Sequence, residues 1–542
     1  MCEVMCEVRI INDNRVVCVK KGTYLSDIIR EYNYKFETPC NCVGTCGKCV
    51  VIATGALSEP SYSEKEFIEK YGPDHRLACL TQVEGSAEIK ILFEDHDLQV
   101  RETTGITLPA YTSSYFIEED LLYFNSKAIA PIEKGQVFGV SIDIGTTGIS
   151  AYLVDLLSGT VLNQRSMLNP QTIHGHDVLS RICFAIDQEM GTEILQNSIL
   201  DAVRKIVSEF IDEAAYDSLY KVTIAGNTTM LHLICGVNPE PIAKSPYKPV
   251  FTDRLELAPE KLEIPMNKKG QIQLLPSASG YIGADILSGV IATGLKNTQK
   301  KSIFVDIGTN GEIVLNNKGC LVATSTAAGP ALEGMNISCG MRAVSGAIDT
   351  FKVTMDHQFE LTTIENASAL GICGSGLIDI MANLVEHEIV LKTGKFNTKM
   401  NPNFLQKFRD KKLYLTDDIY ISQKDIRQIQ LAKGAISTGI KMLLDECAIE
   451  ENEIDEILIA GSFGYHLNLE SIRSIGLIPK NLNTSVYFVG NSSLEGAKGA
   501  MLSALQLTQL DLLQNEIQVL ELSTSDRFQE FFIKELGFSN GG

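Results

Sequence analysis

Residues 139–162 read GVSIDIGTTGISAYLVDLLSGTVL, and residues 303–325 read IFVDIGTNGEIVLNNKGCLVATS. Both carry Asp-Ile-Gly-Thr-x-Gly after an apolar strand and before a second one. Five of the six motif positions are identical, and the two aspartates, Asp143 and Asp306, stand 163 positions apart. A repeat at that spacing predicts a duplicated subdomain. A strand ending in Asp, a Gly-Thr-x-Gly turn and a returning strand form a hairpin suited to phosphate. Gly145, Gly148, Gly308 and Gly311 let backbone N–H groups face an anion. The hydroxyls of Thr146, Thr147 and Thr309 can donate to phosphate oxygens, with Asn310 in the second turn. Asp143 and Asp306 can hold Mg²⁺ through water or orient an attacking water. One such hairpin is a weak signal; two facing each other across a cleft are a strong one.

Working outward, residues 456–464 read EILIAGSFG, a buried strand ending in a Gly-rich turn. Gly461, Ser462 and Gly464 let an adenine ring lie close to the backbone. Residues 494–502, LEGAKGAML, read as a small-residue helix, and VTIAGNTTM at 222–230 is the counterpart in the first half. The order of hairpin, connector, hairpin, adenosine turn and connector resembles the actin, sugar kinase and Hsp70 superfamily over residues 138–507. Two further stretches, 328–334 and 371–379, stay open between lining the nucleotide and forming turns and helix starts beside the cleft.

The N-terminal region reads differently. Residues 6–20 alternate as two strands around Asn12-Asp13-Asn14, and Leu25, Ile28 and Ile29 have helical spacing. A Cys-rich loop follows, PCNCVGTCGKC at 39–49, with Cys79 after 29 intervening residues. Hairpin, helix and Cys loop are the order of a β-grasp ferredoxin. Cys40, Cys46, Cys49 and Cys79 are the predicted [2Fe–2S] ligands. The plant-type spacing is C-x4-C-x2-C. Here Cys40 gives x5 and Cys42 gives x3, so the first ligand stays open between them. We choose Cys40, whose longer loop leaves room to wrap a cluster. Four cysteines also satisfy tetrahedral zinc, but zinc sites more often use two C-x2-C arms, and this sequence has one.

The chain has 542 residues, too many for one core. The expected division is 1–95 ferredoxin-like, 96–137 linker, and 138–300 and 301–542 as the two halves of the nucleotide fold. The linker reads as a surface connector with a short helix, and 508–542 as an appended strand and helix. With 47 basic and 67 acidic residues, net charge is −20, which argues against nucleic acid or an anionic membrane as partner. No stretch has the length of a signal peptide or a membrane span, so the expected location is cytoplasmic. Fourteen cysteines in that setting predict metal, redox or burial rather than disulfides; the six beyond Cys79 are expected to be mostly buried.

The chain as a whole resembles the reductive activators of corrinoid proteins. The resemblance is carried by DIGTTGIS (143–150), NPQTIHGHDVLSRI (169–182), AGNTTM (225–230), DIGTNGEI (306–313), AGPALEGMNISCGMRA (328–343) and GICGSGLID (371–379). It departs from the family at Cys42, where glycine is expected, and in a short connector. The resemblance implies an ATP-hydrolysing reductive activase of multidomain α/β architecture: a [2Fe–2S] ferredoxin domain followed by a duplicated RNase H-like fold. It implies ATP, Mg²⁺, a low-potential electron donor, a homodimer, and a corrinoid protein of a methyltransferase system whose Co(II) is returned to Co(I). No Asp-x-His-x-x-Gly cobalt-ligating signature occurs, so the corrinoid is expected on a partner. Three other readings compete. An activator of a dehydratase or reductase would hold a [4Fe–4S] cluster within the nucleotide fold, against which the Cys40–Cys79 set counts. A small-molecule kinase with a redox-sensing ferredoxin domain would need a catalytic base between the halves. A pure electron carrier with a degenerate nucleotide site sits badly with two retained aspartates.

Overall fold

In the computed structural model the described residues are 5–32, 34, 44, 49–61, 64, 65, 68, 72–92, 108, 111–132, 136–461, 467–479, 481, 482, 484–522 and 525–538. They fall into two compact units, residues 1–97 with 170–176, and residues 98–169 with 177–542.

In the first unit the alternating apolar positions of β1 (Met5–Ile10) and β2 (Arg15–Lys20) form an antiparallel hairpin, with Asn14 at φ 58° in its turn. The helix Leu25–Glu31 buries Leu25, Ile28 and Ile29 against it. β3 (Val50–Leu57), β4 (His75–Leu77) and β5 (Val83–Ile91) complete a sheet of order β2-β1-β5-β3-β4, in which β1 and β5 run parallel. This is the β-grasp arrangement.

The second unit opens with a difference from the sequence expectation. Residues 115–131 form no helix; they are a three-stranded meander of β6 (Tyr115–Glu118), β7 (Leu121–Phe124) and β8 (Lys127–Pro131). Nor is it a loose surface segment. Tyr115, Leu122 and Ala130 are buried in one cluster with Val154, Leu156, Met501 and Leu502.

The repeat then becomes visible as two six-stranded sheets. The first holds β9 (Phe138–Ile144), β10 (Gly148–Asp155), β11 (Val161–Leu168), β12 (Leu219–Gly226), β13 (Leu255–Leu257) and β14 (Gln271–Leu274), ordered β11-β10-β9-β12-β14-β13. The second begins with β15 (Lys301–Ile307), β16 (Gly311–Asn317) and β17 (Cys320–Thr326). Two small sheets follow, β18 (Ala347–Val353) with β19 (Phe359–Thr363) and β20 (Gly371–Ile372), and β21 (Phe408–Arg409) with β22 (Lys412–Tyr414) and β23 (Tyr420–Ser422). β24 (Glu456–Ala460), β25 (Ser485–Gly490) and β26 (Gln518–Val519) join the second large sheet, ordered β25-β24-β15-β16-β17-β26.

Each half therefore lays an antiparallel three-strand meander beside two parallel strands. β9 pairs parallel with β12 as β15 does with β24. The near-continuous burial of β12 and β24 is what parallel central strands require. Two helices close the seam between the halves. Gly496 of Ser492–Leu502 packs on the Ser288 backbone of Ala284–Ala292 so closely that any Cβ would collide.

Candidate nucleotide cleft and cysteine loop

The two repeated turns are alike, but the second is one residue tighter: Ile144 pairs with Ile149, and Ile307 with Gly311. The Gly145 N–H donates to the Gly148 carbonyl at 2.8 Å, and the Gly308 N–H donates to the Asn310 carbonyl at 2.9 Å. Each turn is thereby closed by its own backbone, and the following strand starts at Gly148 or Gly311. The turns meet: Thr147 Oγ1 and Thr309 Oγ1 lie 3.3 Å apart. Glu333 spans them, accepting from Thr147 at 2.7 Å through one carboxylate oxygen and from Thr309 at 3.1 Å through the other.

The first turn is braced from behind. Asn227 donates to Thr146 Oγ1 at 3.0 Å, and Asn169 donates to the Gly145 carbonyl at 2.8 Å. Arg181 has no exposed surface and donates to the Thr146 carbonyl. Burial lowers its pKa to about 9, against the pull of Asp177 and Glu333.

Carboxylates crowd this place. Asp143 accepts from Ser493 Oγ at 2.7 Å and from Asn491 Nδ2 at 3.0 Å, both at the start of the helix from the other half. Burial raises its pKa, and those two donors oppose the rise. Asp306 is pushed up to about 7 by burial and by the charges of Asp143 and Glu333. Asp285, in the first turn of Ala284–Ala292, is pushed up to about 8 by burial, Asp143 and Asp306. Glu312 and Glu333 are raised as well, first by burial. Buried like charges disfavour ionisation in just this way. A divalent cation would reverse it, and a polyphosphate could enter only with one. Among the described residues, no three His, Cys, Asp or Glu side chains converge closely enough to grip a metal by themselves.

The expected adenosine turn begins at Gly461, which follows β24 with φ 119°. A Cβ there would strike the Ile307 carbonyl oxygen and lie 3.1 Å from Asp306 Oδ1. Only glycine lets the backbone at 461 come this close to the end of β15. Ser462 and Gly464 lie outside the described residues. The counterpart in the first half is Gly226, φ 157°, packed on the Ile144 carbonyl.

The structure thus brings Asp143, Asp306, Gly145, Thr146, Thr147, Gly148, Gly308, Thr309, Asn310, Gly311 and Gly461 to the two turns or the strands beside them. Sequence reading did not name Asp285, Glu312, Asn491 or Ser493 as site residues, and held Glu333 only within an undecided stretch and a stretch that carries the family resemblance. Glu312 directly follows the second motif and stands opposite Asp306 on β16. Asp285, Glu333, Asn491 and Ser493 arrive on distant elements that no local motif marks.

In the first unit, Cys49 and Cys79 are buried, unbridged, and 3.2 Å apart at sulfur. Two thiols that close fit two ligands of one iron. Gly44, φ 79°, packs on Leu80 so tightly that a Cβ would collide. The segment bearing Cys79 is fixed by Glu64, which has no exposed surface and accepts from Arg76 at 3.0 Å, Leu77 N at 3.2 Å and Thr81 at 2.8 Å. Cys40, Cys42 and Cys46 lie outside the described residues, so the choice between Cys40 and Cys42 lies there too. The six later cysteines depart from expectation: Cys373 is buried, Cys235, Cys339 and Cys447 are half-buried, and Cys183 and Cys320 are exposed.

Among the described residues, no helix is long and apolar enough to cross a membrane. Residues 8–84 match the family of 2Fe-2S iron–sulfur cluster binding domains, residues 138–298 the RACo middle region, and residues 300–541 the C-terminal domain of RACo, the ASKHA domain. The first match supports a [2Fe–2S] cluster and the last supports ATP binding. The corrinoid activation enzyme RamQ of Eubacterium limosum is 32% identical over 426 residues, 74% of this chain and 71% of that protein. The [Co(II) methylated amine-specific corrinoid protein] reductase of Methanosarcina barkeri is 26% identical over 439 residues, 75% and 78% of the two chains. A solved reductive activator for corrinoid, iron–sulfur protein superposes with a TM-score of 0.70 at 30% identity, over 99% of both chains. The chain belongs to the RACo family of reductive activators of corrinoid proteins.

Proposed function

We propose that this protein uses ATP to drive the reductive activation of a partner's corrinoid. The observation that carries the nucleotide part is the meeting of the two repeated turns, Thr147 to Thr309 at 3.3 Å, with Asp143 and Asp306 behind them. Gly145, Thr146, Thr147 and Gly148 face the phosphates from one half, and Gly308, Thr309, Asn310 and Gly311 from the other. Asp143 and Asp306 would hold Mg²⁺ through its water or orient the attacking water. Gly461, Ser462 and Gly464 let the adenine lie against backbone. Cys40, Cys46, Cys49 and Cys79 would hold a [2Fe–2S] group, whose chemistry would be the single low-potential electron that returns a partner's cobalt from Co(II) to Co(I). The nucleotide can favour that step only through different affinities for two states of the protein. Residues 1–95 form the ferredoxin part, 96–137 the connection, and 138–300 and 301–542 the two halves. The setting is cytoplasmic, with a low-potential donor upstream and a homodimer as the assembly.

The test is anaerobic. The reduced protein is mixed with a Co(II) corrinoid methyl carrier, and Co(I) absorbance is followed with and without Mg-ATP. ATP-dependent Co(I) formation, lost in Cys46→Ser and in Asp306→Ala, is the expected result. A reducible protein that hydrolyses ATP yet forms no Co(I) would shift the reading to another acceptor.

A second reading, phosphoryl transfer to a small acceptor, is favoured by one observation. Asp285, in the first turn of Ala284–Ala292, is a further buried carboxylate close enough to Asp143 and Asp306 to feel their charge, and such a reaction needs a general base in the cleft. Release of inorganic phosphate in step with Co(I), with no phosphorylated product, would remove it.

A further inference from the structure

The two threonine hydroxyls proposed to meet phosphate already have an acceptor. Glu333 takes one hydrogen bond from each, at 2.7 and 3.1 Å, and its two oxygens bridge turns from opposite halves of the fold. A hydroxyl has a single proton to donate. Thr147 and Thr309 cannot give theirs to Glu333 and to a phosphate oxygen at once.

The placement of Glu333 is built into the chain. It ends the short turn Pro330–Glu333, which lies between two glycines with positive φ, Gly329 at 73° and Gly334 at 77°. A side chain at Gly334 would collide with the Met341 carbonyl, so the turn is pinned at that end, while Gly329 has open space around it. Ala331 and Leu332 of the same turn are buried in the core, so its backbone is held and it is the Glu333 side chain that can move. The cations whose charge Glu333 feels are Arg342 and Arg181. Asp306 in turn feels Glu333. A polyphosphate arriving in the turns would add negative charge beside this carboxylate, which the buried setting penalises strongly.

We propose that Glu333 is a resident competitor for nucleotide phosphate, holding the two hairpin turns together until a phosphate displaces it. This rests on the reading that the turns bind phosphate. It adds that the phosphate donors are engaged by the protein's own carboxylate before nucleotide arrives, so that polyphosphate binding, unlike adenosine binding, carries the cost of displacing it.

The test is calorimetric titration of the full chain with Mg-ATP and with adenosine, in wild type, Glu333→Ala and Glu333→Gln. Glu333→Gln keeps the size of the side chain, so it covers the case in which Glu333→Ala folds poorly. Removing the competitor should tighten Mg-ATP binding about tenfold in Glu333→Ala, and by less in Glu333→Gln, with adenosine unchanged. Unchanged or weaker Mg-ATP binding in both variants, with wild type binding normally, overturns the inference and leaves the phosphate reading standing. Wild type that binds no Mg-ATP overturns both.

Discussion

The two halves of the second unit carry one motif in one topology, yet its aspartate is treated differently in each. Asp143 receives hydrogen bonds from Asn491 and Ser493, which restrain the upward shift that burial imposes. Asp306 is raised to about 7 by burial and by two neighbouring carboxylates. The shared motif has placed the two groups at matching ends of β9 and β15, opposite Ala225 and Ala460, and left their proton affinities to the groups that other segments deliver. The duplicated fold sets position, and the unduplicated parts set chemistry. Only one half contributes the helix Ser492–Leu502 and the turn carrying Glu333.

This contrast can be broken most severely at the aspartates themselves. Asp143→Ala and Asp306→Ala should each lower ATP turnover about a hundredfold or more, measured as phosphate release; retention of turnover in either would remove that residue from the proposed chemistry. Removing the restraint on Asp143 is the next largest effect. In Asn491→Ala its pKa rises further, so the acid limb of the pH–rate profile should move to higher pH. Turnover should fall on the acid side of the profile and recover in alkaline buffer. A profile lowered evenly at all pH values would mean that Asn491 acts by structure alone.

The paired glycines sharpen the comparison further. Gly461→Ala and Gly226→Ala both force a Cβ onto a strand carbonyl, and each should cost about 1–3 kcal/mol in denaturant titrations. Only Gly461→Ala should also weaken Mg-ATP binding, because only that turn is proposed to meet adenine. The smallest effect is a slope. A carboxyl with a raised pKa binds its proton more tightly folded than unfolded. Its contribution to stability is complete below the ordinary value of 3.8 and is lost as pH rises through the folded value. For Asp306 that window ends near 7, so nucleotide-free protein should lose stability from pH 5 to 8. Asp306→Asn should flatten the slope in part, since Asp143, Asp285, Glu312 and Glu333 shift in the same direction.

What could be read from the sequence follows from the same physics. The repeat was legible because both turns spell out the groups that phosphate needs within six residues. The β-grasp unit was legible from the hairpin around Asn14 and from apolar spacing in Leu25–Glu31. Asp285, Asn491 and Ser493 were not, since the packing of distant helices brings them to Asp143 and Asp306 and nothing beside them in sequence does so; Glu312 was within reach, one residue past the second motif and opposite Asp306 on the returning strand. The meander of residues 115–131 was hidden by its turns. Glu119-Asp120 and Asn125-Ser126 all have positive φ, as two-residue hairpin loops prefer, but neither pair is the Asn-Gly or Asp-Gly that announces such a turn.

That meander bears on how the chain can be cut. Tyr111 lays its ring on Gly499, where a Cβ would come within 2.5 Å, and the Ser114 N–H donates to the Leu502 carbonyl at 2.7 Å. The helix they cover starts with the residues that hold Asp143. A fragment beginning at residue 138 would strip this cover, baring Leu156, Met501 and Leu502 to water and loosening the helix at the end opposite the aspartate. A fragment meant to isolate the nucleotide cleft should therefore begin upstream of Tyr111, and one that begins at the first repeat would report on a damaged cleft rather than on an independent one.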